Sequence, residues 1–123
     1  MRLLGSLLVM VLFASGFGAQ AQGRRLSDAE IKQLLADVSI EQQGPHLVMD
    51  CCQEVFHADG RFEEYGRITL EGHYAIKDGT VCIEWAERHE CRLIERRGDG
   101  VYAFARTTEP GKFWTFKVAH WPQ

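Results

Sequence analysis

The sequence lacks the motifs by which most enzymes and nucleic-acid-binding proteins can be identified. It has no Gly-rich loop opening a helix, where a phosphate could bind, and no nucleophile elbow with an ordered Ser, His and Asp set. It also lacks a polybasic run, because its 14 basic and 17 acidic residues are interleaved and give a net charge of −3 at pH 7. The sequence therefore predicts no catalytic residue, and we expect a non-enzymatic protein without a nucleic-acid partner.

Metal-ligand spacing is missing as well. The four cysteines and five histidines form no C-x-x-C or H-x-x-x-H pattern. Met49, Cys51, Cys52 and His57 are close in the sequence and are soft ligands that suit Cu(I). Adjacent strand residues point to opposite faces, so a metal shared by both cysteines would require a bulge. We keep this set as an alternative and expect no metal and no cofactor.

Long apolar runs are absent except at the N-terminus. There Arg2 precedes LLGSLLVMVLFASGF, and Ala19-Gln20-Ala21 provides a small-residue cleavage site. The run is short for a bilayer span of about 20 residues and ends in small residues rather than charges. We interpret residues 1–21 as a secretory signal peptide and residues 22–123 as one domain, periplasmic or secreted and free of the membrane after cleavage.

A helix start is visible soon after the predicted cleavage site. Ser27 and Glu30 have the spacing of a capping box. Apolar residues then follow the i, i+3, i+4, i+7 pattern of one helix face, namely Ile31, Leu34, Leu35 and Val38. The pattern predicts a helix over residues 27–38 that packs on the rest of the domain, with residues 22–26 disordered before it.

The remainder of the chain has the pattern of short strands separated by turns. Turn dipeptides such as Asp59-Gly60 and Asp78-Gly79 separate segments in which apolar and polar residues alternate. Short turns join antiparallel strands, so we expect a mainly β fold. An N-terminal helix would be followed by a six- to seven-stranded up-and-down meander, strongly curved or barrel-like to hide its apolar face. The expected strands are 47–57, 61–70, 72–77, 80–85, 91–97, 101–107 and 113–119.

Several short sequence motifs lie between residues 57 and 107. In chain order they are the D-G-R turn at Asp59-Gly60-Arg61, the G-x-aromatic strand start at Gly72 and Tyr74, and one cysteine in each of two later strands, Cys82 and Cys91. With these motifs the chain resembles small exported bacterial proteins of unknown function. The resemblance implies a lipocalin-like sheet and no established activity. The adjacent Cys51 and Cys52 depart from the pattern.

The two later cysteines have a geometric reason to bond. If strands 80–85 and 91–97 pair through a loop of about four residues, Cys82 lies opposite Cys91 with Cβ atoms about 4.5–5.5 Å apart. In an oxidising compartment they should form a hairpin disulfide. Strand alternation separates Cys51 and Cys52 onto opposite faces, so we expect one buried and one outward cysteine. A strained vicinal bond, two free thiols, a bridge to a second copy and a swapped bridge stay open.

The other titratable residues suggest no chemistry of their own. His57 and His89 adjoin predicted turns and are expected to face water, and His73 lies opposite the core face. Glu63 and Glu64 should point to opposite faces of the sheet, so they are a poor acid/base pair, and we expect them to face water.

Two classes of function fit this sequence. The first is a non-enzymatic binding or interaction module of the bacterial cell envelope, monomeric or weakly dimeric. It would use the concave sheet face for an apolar small molecule or the sheet rim for an envelope protein. The alternative is a periplasmic thiol-redox or Cu(I)-handling protein that uses Cys51 and Cys52. A filled sheet interior would leave no place for a carried ligand.

Overall fold

The computed structural model describes residues 23–43 and 52–122. The predicted signal peptide, Met49 and Cys51 lie outside the described residues. Within the described part of the chain there are nine strands and one helix. Their bounds are β1 (Arg24–Arg25), α1 (Asp28–Leu34), β2 (Val38–Gln43), β3 (Gln53–Phe56), β4 (Arg61–Tyr65), β5 (Thr69–Lys77), β6 (Thr80–Trp85), β7 (Arg88–Gly98), β8 (Val101–Arg106) and β9 (Phe113–His120).

Strands β2 to β9 form a closed, eight-stranded antiparallel barrel. Each strand pairs with the next one along the chain, and β2 pairs with β9 to close the ring. Strand β1 lies outside the ring and pairs with β7. Tight turns allow this order, as at Asp78 and Gly79, whose φ angles of 53° and 76° bring β6 directly back along β5. Closure leaves no long unpaired edge on the barrel.

The predicted number of strands is wrong. The sequence pattern predicts an N-terminal helix followed by six to seven strands, whereas the structure has β1 before the helix and eight strands after it. The main difference is at residues 38–43, which were expected to lie at the end of the helix and in the loop after it. Asp37 adopts a φ of 57° and turns the chain out of the helix, so Val38 begins β2. The helix therefore ends at Leu34 rather than at residue 38.

The segment before the helix is ordered, which corrects the prediction of disorder for residues 22–26. Gln22 lies outside the described residues, but Arg24 and Arg25 form β1. Leu26 is buried, and its backbone N–H donates to the carbonyl oxygen of Ile94 at 2.9 Å. The segment is held because β7 extends beyond β6 and offers it free backbone groups.

The barrel interior is filled. It holds the fully buried side chains of Phe56, Phe62, Phe116, Ile31, Leu35, Ile83 and Val81, whereas Val55, which is equally buried, belongs to the outer-face series of β3. The helix closes one end of the barrel by placing Ile31 and Leu35 in the core. Phe56 and Phe62 meet edge to face with ring centroids 5.0 Å apart. The cavity between Leu35, Phe56 and their neighbours is only about 10 Å³, which is no larger than one water requires. An apolar small molecule has no room there.

The hairpin of β6 and β7 has the predicted cysteine register. Cys82 lies directly opposite Cys91, and the two form a disulfide with their Cα atoms 4.0 Å apart. This prediction is confirmed. The turn is shorter than expected, since Trp85 pairs with Arg88 and only residues 86 and 87 join the strands.

The capping box at the start of α1 is also confirmed. Ser27 Oγ accepts a hydrogen bond from the Glu30 backbone N–H at 3.3 Å, and the Glu30 carboxylate accepts one from the Ser27 N–H at 3.1 Å. Arg24 donates to both carboxylate oxygens of Glu30, at 3.0 and 2.7 Å. These hydrogen bonds lower the pKa of Glu30 to about 2, and the bond from Arg24 has the largest effect. The carboxylate therefore links β1 to the helix start.

Ser27→Ala should lower the free energy of unfolding by about 1 kcal/mol, because the Glu30 backbone N–H loses its capping partner. Urea denaturation followed by far-UV circular dichroism measures the change. Gln33→Ala, at an exposed position of the same helix, is the matched control and should change stability by less than about 0.5 kcal/mol. Equal effects of the two substitutions would contradict the cap.

Replacement of both Cys82 and Cys91 by Ala should lower the free energy of unfolding by about 2–3 kcal/mol, since the bridge closes a short loop in the unfolded chain. The measurement is urea denaturation of the parent and the double variant. Peptide mapping without reductant should recover Cys82 linked to Cys91. An unchanged denaturation midpoint would show that the bridge does not stabilise the barrel.

Candidate functional site

Charged residues line the end of the barrel opposite helix α1. Cross-strand partners share one face of the sheet, so Glu54 opposite Glu64 and Arg92 opposite Arg106 place four charged side chains on the inner face. At the next inner positions toward the helix, β3 and β4 carry Phe56 and Phe62 instead of charged residues. We define the charged mouth by the residues Glu54, Glu64, Trp85, Arg88, Glu90, Arg92 and Arg106.

Arg92 is the centre of a buried ionic network in the charged mouth. Its two terminal nitrogens donate to the two oxygens of Glu54 at 2.8 and 2.7 Å, and its Nε donates to Glu90. Arg106 Nε donates to the other oxygen of Glu90 at 2.5 Å. The Arg92 guanidinium also lies 4.5 Å from the ring centroid of Phe104. Such paired geometry is what buried charges require.

Arg92 keeps its positive charge although it is buried. Burial by itself lowers the pKa of Arg92, but the adjacent carboxylates of Glu54 and Glu90 outweigh it and hold the pKa above its ordinary value. Arg92 is therefore a permanent cation that ties the inner wall at β3 to the wall at β7.

The buried Gln42 Oε1 has no hydrogen-bond partner among the described residues. The Trp85 indole N–H and the Glu64 carboxylate are buried beside each other and interact. Burial raises the pKa of Glu64, and the nearby charge of Glu54 raises it further, against opposing effects of Arg88 and Arg92. Buried polar groups without partners are rare in folded proteins, and they mark positions where a bound molecule or water can complete the bonding.

A surface pocket opens at this end of the barrel. Its volume is about 340 Å³, and it is lined by Trp85, Arg88, His89, Glu90, Arg92 and Arg106. Three arginines thus face one glutamate. The Arg88 guanidinium makes no hydrogen bond or ion pair with any described residue, whereas Arg92 and Arg106 are held by carboxylates. The pocket lining is therefore rich in hydrogen-bond donors, although Glu54 and Glu90 balance part of its positive charge.

A second cluster lies on the outer face of β6 and β7. The His89 Nδ1 is 3.1 Å from Glu84 Oε1, and the His89 Nε2 is 3.5 Å from Cys91 Sγ. The potential ligand atoms of Cys82, His89 and Cys91 all lie within 4.8 Å of one another. Sequence spacing did not indicate this cluster, because its members come together only across the hairpin. The sequence feature that could have revealed the cluster was the pairing register of the hairpin, which places residue 84 opposite residue 89.

The prediction that His57 faces water is wrong. Its side chain is largely buried, and its Nε2 lies 2.5 Å from Glu63 Oε1. The Tyr65 hydroxyl donates to the other Glu63 oxygen at 2.5 Å, and Trp121 stacks on the Tyr65 ring. The hydrogen bond from Tyr65 is the largest effect on the pKa of Glu63 and lowers it. His57 lowers this pKa further, although partial burial acts in the opposite direction. Residues after β9 contribute to this packing, which no local pattern at His57 indicates.

The predicted sheet faces of Glu63, Glu64, His73 and His89 agree with the structure. Glu63 points outward and Glu64 inward, but the expectation that both face water is wrong, because Glu64 is buried and Glu63 is bonded to His57 and Tyr65. His73 and His89 are exposed on the outer face. Glu84 lies between them, because it is opposite His73 on β5 and opposite His89 on β7.

The structure describes two residues of the alternative metal set, His57 and Cys52. Met49 and Cys51 lie outside the described residues, and His57 is engaged by Glu63. Cys52 is disulfide-bonded, so it is not an outward cysteine with an available thiol.

Comparisons with known proteins do not assign the chain to a family. No family model matches it, and searches of curated proteins and of solved structures find no match. What the structure shares with the resemblance noted from the sequence is the antiparallel barrel-like meander and the Cys82–Cys91 hairpin disulfide.

The disulfide bears on the compartment. A disulfide such as Cys82–Cys91 is typical of proteins outside the reducing cytosol. Among the described residues, no helix is long and apolar enough to cross a membrane.

The pKa shift of Glu64 predicts how stability depends on pH. The folded pKa is raised above the ordinary 4.5, so the unfolded chain releases this proton first as the pH rises. The contribution of Glu64 to stability therefore declines as the pH rises from about 4.5 through its folded pKa. Glu64→Gln should remove that loss and therefore gain stability relative to the parent as the pH rises above about 4.5.

Urea denaturation at a series of pH values measures the effect. Glu71→Gln is the matched control, because Glu71 is exposed on neighbouring β5. The control should keep the pH dependence of the parent. If the Glu64→Gln variant also keeps it, the carboxyl of Glu64 is not destabilised by its surroundings.

Proposed function

We propose that this chain is an exported, non-enzymatic binding module of the bacterial cell envelope that binds an anionic group at its charged mouth. The observation that carries the proposal is the pocket of about 340 Å³ in which three arginines face one glutamate. One donor at this pocket, the guanidinium of Arg88, makes no hydrogen bond or ion pair with a described residue, and the indole N–H of Trp85 lies beside the Glu64 carboxylate.

Because the barrel interior is filled, we expect a ligand to bind at the rim rather than inside the barrel. The interior cavity of about 10 Å³ admits no ligand, so a bound molecule must lie at an end or on a face. Helix α1 and its C-cap cover one end with Ile31 and Leu35. Within the described ranges no helix covers the charged mouth, where the pocket opens.

The donors at the mouth suit a carboxylate or a phosphate. A guanidinium presents paired N–H groups that match both anions, and charge-assisted bonds of this kind are stronger than neutral ones. Arg92 and Arg106 are already fixed by Glu54 and Glu90, so they can contribute positive potential without being ordered on binding. Arg88 would make the direct contact.

Binding should become stronger as the pH falls. A charged Glu64 next to the pocket would repel an anion, and its raised pKa makes neutralisation easier. The residues that line the pocket include no Ser, Thr, Cys or Tyr that could act as a nucleophile. This composition supports binding rather than a reaction.

Export and bacterial origin are part of the proposal. They are supported by the signal-peptide pattern of residues 1–21, by the disulfide and by the resemblance to small exported bacterial proteins. The proposed monomer or weak dimer is supported by the closed barrel and by a surface whose exposed large hydrophobic residue, within the described ranges, is Ile68.

The alternative function, thiol-redox or Cu(I) chemistry at Cys51 and Cys52, is favoured by one observation. Cys52 is disulfide-bonded, as a redox-active cysteine can be. We retain it as the second candidate.

NMR titration of the oxidised protein tests the anion site, with inorganic phosphate and succinate as separate probes. The indole N–H resonance of Trp85 should shift with at least one of them, and the probe that acts distinguishes a phosphate site from a carboxylate site. Arg88→Ala should weaken binding about tenfold or more, since a hydrogen bond to a charged group contributes about 1.5–3 kcal/mol.

Arg25→Ala provides the control at the other end of the barrel, where Arg25 contacts the Gly79 carbonyl. It should leave binding of the active probe unchanged. No shift of the Trp85 resonance with either anion, or an equal loss in both variants, would contradict an anion site at the charged mouth.

A further inference from the structure

The hairpin disulfide and His89 form a compact group of sulfur and nitrogen ligands. Cys82 and Cys91 lie on the outer face of β6 and β7, and the His89 Nε2 is 3.5 Å from Cys91 Sγ. The three ligand atoms lie within 4.8 Å of one another. Two cysteines and one histidine are a ligand set that binds Zn²⁺ in proteins.

The backbone keeps these ligands together without the S–S bond. Six consecutive residue pairs join β6 to β7, from Thr80 with Leu93 to Trp85 with Arg88. Strand β7 is also paired with β8, and β6 with β5, so neither cysteine lies on a free edge. After reduction the two sulfurs would still stand on directly opposite positions.

Glu84 orients the imidazole. Its Oε1 lies 3.1 Å from the His89 Nδ1, on the side of the ring away from the sulfurs. A carboxylate that accepts the Nδ1–H leaves the Nε2 lone pair directed at a metal, which is the usual support of a metal-binding histidine. Glu84 would thus be a positioning residue rather than a ligand.

We propose that Cys82, Cys91 and His89 form a Zn²⁺ site that becomes available when the disulfide is reduced by a dithiol. Reduction breaks the Cys82–Cys91 bond and transfers two electrons and two protons to it, while the dithiol becomes a disulfide. Zn²⁺ then displaces the two thiol protons to solvent and binds two thiolates and the imidazole Nε2. The fourth tetrahedral position stays open to water.

The cluster is accessible to both reactants. The side chains of His89 and Glu84 are 61% and 74% exposed, and both cysteines are half-buried. The site goes beyond the proposed anion binding, because it uses the outer face of the hairpin and needs the reduced protein.

Cobalt binding tests the proposal directly. The protein used carries Cys51→Ala and Cys52→Ala, so that Cys82 and Cys91 are its only cysteines. After reduction by a phosphine, one equivalent of Co²⁺ should produce a thiolate-to-cobalt charge-transfer band, which Zn²⁺ should abolish by displacement. The oxidised protein should show no such band.

Three variants of that protein assign the ligands. Glu84→Gln should weaken binding on the order of 10–100-fold, as loss of an outer hydrogen bond to a metal-binding histidine does. His89→Ala should weaken it more than Glu84→Gln. His73→Ala is the matched control, because His73 lies opposite Glu84 on the other neighbouring strand and is outside the cluster. It should bind Co²⁺ like the parent.

Absence of the charge-transfer band in the folded, reduced protein would overturn the proposal, as would a band that is unaffected by His89→Ala. If reduction unfolds the barrel, Zn²⁺ should restore its near-UV circular dichroism, since metal binding then stabilises the fold. Failure of Zn²⁺ to restore it would equally overturn the proposal. The anion titration uses oxidised protein without metal, so the two sites can fail independently.

Discussion

Pairing of β2 with β9 is the interaction on which the rest of the structure depends. Six residue pairs, from Val38 with His120 to Gln43 with Thr115, join the two ends of the meander. Without them the sheet would have two open edges and a partly exposed apolar face. With them, eight inner faces converge on one axis, and Phe56, Phe62 and Phe116 fill the space between them. Closure also creates two distinct barrel ends, one covered by helix α1 and one charged.

The charged mouth follows from closure because its ion pair bridges strands that are not neighbours. Glu54 lies on β3 and Arg92 on β7, with three strands between them, yet the two side chains make two hydrogen bonds of 2.8 and 2.7 Å across the interior. Removing such charges from water is unfavourable, and only the paired geometry offsets it. The network therefore depends on the barrel diameter. It holds Arg92 in place, while Arg88 stays available at the rim.

Strand alternation separates the two proposed sites although they share one hairpin. On β6 and β7, Trp85, Arg88 and Arg92 belong to the inner series, whereas Cys82, Glu84, His89 and Cys91 belong to the outer series. The pocket reaches His89 at the rim, where the two faces meet. One hairpin can thus present an anion pocket at the mouth and a sulfur–imidazole cluster on the outer face. The disulfide determines the chemical state of the outer cluster.

The sequence by itself determined the features that depend on near neighbours. The capping box at Ser27 and the Cys82–Cys91 register could be predicted, because both involve residues fewer than ten positions apart and follow from cap chemistry and strand alternation. Only the tertiary structure decided that residues 38–43 form β2, that His57 is buried against Glu63, and that Glu54 meets Arg92. Each depends on a partner whose position is set by folding of the whole ring: β9 for β2, the packing around Trp121 for His57, and β7 for Glu54. A local pattern cannot specify these partners, since apolar alternation makes a strand compatible with many neighbours and only closure selects one.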